Sequence, residues 1–253
     1  AHAPVAGLTN IRRIAAGGNH ALALRADGTV VAWGYNAAGQ LGGAGAANSS
    51  GYPTPVALLT GVAEITAGQN HSLALKSDGT LWAWGLNSEG QLGTGNTVSS
   101  ATPVQVLTGV MAVAAGARHT LAIKLNGTLW TWGANEAAQL GSGSTTPSST
   151  PTQVGVFTNW LAIAAGRAHS LALRADGNVY AWGANGKGQL GGGTFAESAP
   201  TLIFGLSAIA AIAAGADHSL ALRVGGIAYS WGANEASQLG DGLTASRNAP
   251  FQI

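Results

Sequence analysis

One pattern of about fifty residues recurs five times along the 253-residue chain and constrains its fold more than any other feature. Each copy reads Ala-Gly, two variable residues, His, an alternating run, a turn, a second run ending in Trp-Gly, and then Gln-Leu-Gly. The histidines are spaced by 51, 48, 50 and 49 residues: His20, His71, His119, His169 and His218. Each Trp-Gly tryptophan follows its histidine by thirteen residues: Trp33, Trp84, Trp132, Trp182 and Trp231. Such a fixed period indicates a repeat architecture.

The residues after each histidine alternate large and small side chains, as in Leu22 and Leu24 against Ala21 and Ala23. A period of two predicts a β-strand. Asp-Gly, Asn-Gly or Gly-Gly follows in every copy, which predicts a two-residue type I′ hairpin turn and a returning strand. An apolar run before the histidine and a proline-containing segment supply two more strands. The sequence therefore predicts an all-β protein, a β-propeller of five four-stranded blades.

We interpret residues 1–253 as a single propeller domain with repeats at about 4–52, 53–102, 103–150, 151–199 and 200–253. Ala3-Pro4-Val5 and Ala249-Pro250-Phe251 both resemble the start of the proline segment at Thr102-Pro103-Val104. We therefore expect the ring to close by pairing of its terminal segments, with Phe251-Gln252-Ile253 adding a strand to the first blade. A closed ring would be a monomer. The alternatives are a fragment of a larger propeller and an array that forms homo-oligomers.

The alternation also predicts how the blades stack. The leucine face of one sheet can pack against the alanine and serine face of the next, so both faces are buried. Each buried leucine contributes about 1.5 to 3 kcal/mol, which makes these positions the main source of stability. Packing explains why leucine, alanine and serine recur at these positions of the repeat, so no functional explanation is needed.

Composition excludes several classes of function. Eleven Lys and Arg balance ten Asp and Glu, and no run of like charge could follow a phosphate backbone, so we expect no nucleic acid partner. No apolar stretch is long enough to cross a membrane. Without cysteine there are no disulfides and no thiolate metal sites. The Ala, Gly, Ser and Thr bias favours a secreted or periplasmic bacterial protein.

The signature Ala-Gly-x-x-His-Ser-Leu-Ala-Leu, Asp-Gly-Thr and Trp-Gly-x-Asn-x-x-Gly-Gln-Leu-Gly is clearest at residues 67–93 and 165–191. It resembles the regulator-of-chromosome-condensation repeat over nearly the whole chain. The resemblance implies a propeller that acts by binding partners. Among the members of that family, this chain is most similar in character to secreted bacterial ones such as the β-lactamase-inhibitor propellers. Members of that family usually have seven blades, so five repeats are a departure.

The five histidines and five Trp-Gly tryptophans recur with the fold, so we interpret them as structural rather than as a metal site. We expect each histidine to bond a neighbouring loop, because buried polar groups need partners. No cysteine, nucleophile elbow or phosphate loop is present. The chain is therefore predicted not to be an enzyme and to need no cofactor.

The better candidates for recognition lie in two sets of loops, before the histidine and after Trp-Gly, which emerge on the same face of an up-down-up-down blade. The repeats differ from one another in these loops, so the fold does not dictate the residues there. The candidate partner-binding residues are Tyr35, Asn70, Glu89, Arg118, Glu136, Arg167, Lys187 and Asp217.

The predicted function is noncatalytic binding of a protein through this face, with a secreted enzyme inhibitor as the finer hypothesis. Two alternatives remain open: a carbohydrate-binding propeller, and a structural or self-assembling repeat protein without a ligand.

Overall fold

A computed structural model describes residues 5–43 and 48–253. The described chain forms twenty strands in five antiparallel sheets, and each sheet holds four strands that are consecutive in sequence. The predicted five four-stranded blades are confirmed. This part of the chain contains no helix that could span a bilayer.

Each blade uses its strands in the same order, so corresponding strands can be grouped. The first strands are β1 (Ile11–Ala16), β5 (Val62–Ala67), β9 (Val110–Ala115), β13 (Trp160–Ala165) and β17 (Ile209–Ala214). The second strands are β2 (His20–Arg25), β6 (His71–Lys76), β10 (His119–Lys124), β14 (His169–Arg174) and β18 (His218–Arg223). The third strands are β3 (Val30–Tyr35), β7 (Leu81–Gly85), β11 (Leu129–Gly133), β15 (Val179–Gly183) and β19 (Ala228–Gly232). The fourth strands are β4 (Ser49–Pro55), β8 (Ser100–Leu107), β12 (Ser148–Gln153), β16 (Glu197–Leu202) and β20 (Arg247–Gln252).

Blades 1 to 5 are these sheets in chain order, and they are offset from the sequence repeats by one strand. A repeat begins at the proline segment, whereas that segment forms the fourth strand of the preceding blade, as β4 shows for Pro53. Each blade therefore begins at the strand before the histidine.

The hairpin between the second and third strands is not of the predicted type. Gly28 N donates to the Arg25 carbonyl at 3.0 Å, and Gly28 alone has a left-handed φ, of 80°, while Asp27 does not. The Asp27 carboxylate instead accepts bonds from Thr29 N and Thr29 Oγ1 at 2.9 and 2.7 Å. In blades 1 to 4 the prediction of type I′ turns is wrong, because only the glycine takes positive φ and the side chain of the preceding Asp or Asn accepts a bond from the backbone two residues further on. In blade 5 both Gly225 and Gly226 have positive φ.

Successive blades pack in the predicted manner. In the first junction Leu22 and Leu24 of blade 1 lie in one buried cluster with Ile65, Ala74 and Trp84 of blade 2. One equivalent cluster joins each further pair of successive blades. Every internal junction therefore buries the large face of one sheet against the small face of the next.

The predicted addition of Phe251-Gln252-Ile253 to the first blade is wrong, and closure of the ring is not shown by the described residues. The C-terminal strand β20 pairs with β19 of its own blade, with Phe251 opposite Ser230, and among the described residues the sheet of the first blade consists of β1 to β4. Val5 lies outside any strand, and Ala3 and Pro4 fall outside the described residues. The C-terminal proline segment is the fourth strand of blade 5, just as the segment that contains Pro53 is the fourth strand of blade 1.

Both end blades keep an uncovered face. Ile14 of blade 1 is 77% exposed, whereas its counterpart Ile65 in blade 2 is 6% exposed. At the other end Leu222 of blade 5 is 42% exposed and its counterpart Leu173 is 3% exposed. Within the described residues, no buried cluster joins blade 5 to blade 1.

Candidate recognition face

The first strand of every blade is innermost and ends at a central channel. The channel holds a cavity of about 470 Å³ lined by the Ala-Gly-x segments of all five blades, such as Ala67-Gly68-Gln69. The loops before the histidines open at this end of the channel. We call the surface formed by these loops and the loops after Trp-Gly the upper face.

A second cavity, of about 440 Å³, lies on the upper face and is lined by residues of blades 2 to 5. Its charged lining consists of Arg118, Arg167, Lys187 and Asp217, and Gln69 adds an amide. Lys187 follows a Trp-Gly pair while the two arginines precede histidines, so the cavity shows that both sets of loops share one face. Four of the predicted residues are brought together here.

The charged residues of the upper face pair with each other across blade boundaries. Arg118 of blade 3 lies 3.2 Å from Glu89 of blade 2 and 3.7 Å from Glu136 of its own blade. Arg167 of blade 4 donates to Asp217 of blade 5 through Nε at 3.3 Å and also through Nη2. These contacts join neighbouring loops, and they place the two arginines and their carboxylate partners within one region of the surface.

Lys187 of blade 4 pairs with Glu235 of blade 5. The hydrogen bond and the opposite charge raise the pKa of Lys187 and lower the pKa of Glu235, so both groups are ionised at neutral pH. Exposed pairs of this kind exchange readily with solvent and with other charges. The upper face therefore presents charges of both signs rather than a patch of one sign.

The remaining predicted residues do not line the cavity. Tyr35 ends β3 in blade 1 and is exposed, and Asn70 Oδ1 accepts from Gln40 Nε2 at 3.5 Å. Glu89 and Glu136 do not line the cavity themselves, but each forms an ion pair with Arg118, which does. Sequence reasoning did not single out Gln69 or Glu235, although both occupy the same variable loops as the residues that it chose.

The histidines have a structural role that the geometry of their Nε2 atoms explains. In four junctions Nε2 of one blade meets a hydroxyl of the next: His20 with Ser72 at 2.9 Å, His71 with Thr120 at 3.2 Å, His119 with Ser170 at 3.0 Å and His169 with Ser219 at 3.0 Å. The partner is thus a residue of the next blade's second strand, not a neighbouring loop as expected. Nothing in the sequence pattern of a single repeat reveals a bond between two repeats.

The hydroxyl proton is donated to a backbone carbonyl and not to the histidine, and this determines the tautomer of the histidine. Ser72 Oγ donates to the Gln40 carbonyl at 2.9 Å, so it can only accept from His20, which must carry its proton on Nε2. Burial lowers the pKa of His20 and His169 to about 4 and that of His71 and His119 to about 3. The four junction histidines are therefore neutral at physiological pH.

The Trp-Gly tryptophans complete the same junctions. Trp84 Nε1 donates to the Gln40 carbonyl at 2.9 Å, and the same bond joins Trp132 to Gln91, Trp182 to Gln139 and Trp231 to Gln189. These four indoles are completely buried. Within residues 5–43 and 48–253, no group of three His, Asp or Glu side chains could hold a metal ion.

Four-stranded antiparallel sheets that pack face to face around a channel, with the first strand innermost, define a β-propeller. The sequence profile of the RCC1-like domain matches residues 2–253, and the chain belongs to this family.

Solved structures and curated relatives resemble this chain over different extents. Human WBSCR16 superposes with a TM-score of 0.86 at 27% identity, covering 96% of this chain and 67% of that one. Prp20p of Saccharomyces cerevisiae superposes with a TM-score of 0.85 at 26% identity, covering 96% of this chain and 63% of that one. The probable human E3 ubiquitin-protein ligase HERC3 is 42% identical over 84 residues, which span 32% of this chain and 8% of HERC3.

Proposed function

We propose that this protein is a noncatalytic module that binds a protein partner through the upper face. The observation that carries the proposal is the cavity lined by Arg118, Arg167, Lys187, Asp217 and Gln69. These residues come from four blades, and they converge although the repeat does not require any of them.

The chemistry of the lining fits a protein partner. Arginine guanidinium groups and carboxylates offer directional, charge-assisted hydrogen bonds of both polarities, which suits a surface that carries acidic and basic side chains. Each ion pair of the cavity can be exchanged for a pair with the partner at little cost in stability. The lining contains no group in a position to act as a nucleophile with an adjacent base, which supports a role in binding rather than catalysis.

Relatives support a binding role at the level of the family. The structure of Prp20p is described together with its binding to Gsp1p and histones, and yeast RCC1 has been solved bound to Kap60. Those partners belong to those proteins. They make Gsp1p and histones reasonable first probes for this chain.

The two alternatives have less support. A carbohydrate site would use exposed aromatic rings for stacking, but the four junction indoles are buried and bonded, and no aromatic side chain among the described residues lines the cavity of the upper face. A purely structural role would not explain why charged residues of successive blades gather at one cavity. The hypotheses of an enzyme inhibitor and of a secreted bacterial protein remain predictions, and the relatives named above are from human and Saccharomyces cerevisiae.

The proposal is tested by site-specific photocrosslinking. A photoreactive residue at Gln69 lies in the cavity, while one at Val156, in the exposed linker between β12 and β13, lies on the opposite face. We expect Gsp1p, histones or a partner from cell extract to crosslink at position 69 and not at position 156.

The combined Arg118→Ala, Arg167→Ala and Lys187→Ala variant should reduce that crosslink about tenfold or more, since it removes three charge-assisted contacts. Crosslinking confined to position 156, or capture that the triple variant leaves unchanged, would show that the upper face is not the binding surface.

A further inference from the structure

Two glutamine side chains in the cavity of the upper face carry an amide donor that has no acceptor in the described protein. Gln139 and Gln189 line this cavity, and each is only 2% exposed. Gln139 Oε1 accepts from Ala137 N at 2.9 Å. Gln189 Oε1 accepts in the same way from Lys187 N at 2.8 Å, so both amide groups have a fixed orientation. Neither Nε2 group bonds to any described residue, and the cavity is where each can find an acceptor.

The junction between blades 1 and 2 shows which acceptor is missing. There Gln40, the counterpart of Gln139, donates through Nε2 to Asn70 Oδ1 at 3.5 Å. Asn70 directly precedes the histidine of blade 2, whereas the residue before the histidine of blade 4 is Ala168, which lines the cavity. A methyl group accepts no hydrogen bond. Alanine in place of asparagine therefore leaves the Gln139 donor free and leaves space beside it.

The charges of the cavity lining add to this excess of donors. Arg118, Arg167 and Lys187 line the cavity together with a single carboxylate, that of Asp217. Both oxygens of Asp217 already accept from Arg167. The carboxylates that pair with Arg118 and Lys187 are not part of the lining. The lining is therefore positively charged, and donors outnumber acceptors among its polar side chains.

A phosphate monoester fits this lining better than a carboxylate does. It carries a charge of about −1.5 to −2 at pH 7 and three strong acceptor oxygens. A carboxylate carries one charge and two oxygens. Guanidinium groups also bind phosphate through paired, charge-assisted hydrogen bonds. A volume of about 440 Å³ leaves room for the residue that carries the phosphate.

We propose that the cavity binds the phosphate group of a phosphoserine or phosphothreonine on the protein partner, an inference that rests on the binding role proposed above. The phosphate oxygens accept from the Nε2 groups of Gln139 and Gln189, and the three cations of the lining balance the charge. An unmodified serine would leave these donors without an acceptor, so the phosphorylated residue is preferred.

The test follows the side-chain amide signals of the 253-residue protein by two-dimensional ¹H–¹⁵N NMR spectroscopy. The probe is the peptide acetyl-Gly-Ala-phosphoserine-Ala-Gly-amide. We expect the signals of Gln139 and Gln189 to move on titration, and the signal of Gln40 to stay in place because its Nε2 is already bonded. The unphosphorylated peptide should cause no shift. A peptide with glutamate in place of phosphoserine should bind at least tenfold more weakly.

Ala168→Asn provides a test within the protein, because it gives the junction between blades 3 and 4 the acceptor that Asn70 provides between blades 1 and 2. It should weaken binding of the phosphopeptide at least tenfold and keep the backbone spectrum of the folded parent. Asn70→Ala is the matched control. It frees Gln40 Nε2 outside the cavity, so it should leave the affinity for the phosphopeptide unchanged.

The proposal is wrong if the Gln139 amide does not respond to the phosphopeptide, or if Ala168→Asn folds and binds it as tightly as the parent. Equal binding of the glutamate peptide would identify a carboxylate site, and equal binding of inorganic phosphate would identify a site for a free anion. Either result would overturn the proposal. Crosslinking of a partner at position 69 without phosphopeptide binding would leave the binding role standing, whereas phosphopeptide binding without any such crosslink would contradict that role.

Discussion

His119 Nε2 lies 3.0 Å from Ser170 Oγ, a hydroxyl in the next blade and 51 residues further along the chain. The Ser170 hydroxyl in turn donates to the Gln139 carbonyl at 2.9 Å. Histidine, hydroxyl and carbonyl thus form a relay that crosses the junction between blades 3 and 4. Each internal junction contains this arrangement, so polar bonds fix the relative position of two sheets whose apolar contact alone would allow sliding.

Removing the Ser170 hydroxyl should destabilise the protein more than the small size of the hydroxyl group suggests. Ser170→Ala leaves His119 Nε2–H buried without an acceptor, which costs about 1 to 3 kcal/mol of unfolding free energy. Urea denaturation followed by tryptophan fluorescence measures the loss. Ala21→Ser is the matched control, because it adds a hydroxyl on the uncovered face of blade 1, and it should change stability by less than about 0.5 kcal/mol. Equal effects would show that the relay contributes nothing specific.

Stability should fall as the pH is lowered from 6.5 towards 4. The junction histidines have folded pKa values of about 3 to 4, whereas an unfolded histidine titrates near 6.5, so the unfolded chain binds more protons in this window. Each histidine then contributes a slope of up to about 1.4 kcal/mol per pH unit. Urea denaturation at a series of pH values measures this slope. Above pH 5 most carboxylates remain ionised, so the histidines dominate the change.

The His119→Gln variant separates this effect from other titrations. It removes one junction histidine that titrates. The slope of the unfolding free energy against pH should therefore fall, between pH 5 and 6.5, by up to about 1.4 kcal/mol per pH unit, the value for one proton. Its absolute stability will also be lower, so the slope and not the midpoint is the relevant quantity. A stability that stays constant from pH 7 to 5 would contradict the burial of these histidines.

The glycine three residues before each histidine should not tolerate a side chain. A Cβ at Gly68 would lie 2.1 Å from His71 Cε1 and 2.5 Å from the Gly116 carbonyl oxygen, so neither neighbour could move without disturbing a junction. Gly68→Ala should cost about 3 kcal/mol or more in unfolding free energy. Gly51→Ala is the control, since its Cβ would meet nothing within 4 Å. Thermal unfolding of both variants, followed by circular dichroism, measures the difference.

The charged residues of the upper face should affect binding and not folding. The combined Arg118→Ala, Arg167→Ala and Lys187→Ala variant should keep the circular dichroism spectrum and thermal midpoint of the parent, because exposed ion pairs add little to stability. A large drop in the midpoint would mean that these pairs hold the blades together, and a loss of binding in this variant could then not be assigned to recognition.

The sequence predicts the blades well because each depends on local signals. Alternation around Leu22 and Leu24 defines strands, and Asp27-Gly28 marks the hairpin, although the aspartate's bond to Thr29 changes the turn type. Contacts between different repeats are harder to predict from the sequence. The partner of His119 is 51 residues away, and the cavity on the upper face depends on the relative placement of four blades. The C-terminal segment was assigned to the wrong blade for the same reason: a proline segment identifies a fourth strand but not which blade contains it.

The relay at each junction also has a consequence for the evolution of such chains. Every internal blade gives a histidine and a glutamine carbonyl to its successor and offers a hydroxyl and an indole to its predecessor, as blade 4 does through His169 and Ser170. A duplication or deletion of one whole unit therefore joins two surfaces that are already compatible, and no new interface has to arise by point mutation. Blade number can change by gene rearrangement alone, whereas a partial unit would leave a donor or an acceptor without its counterpart.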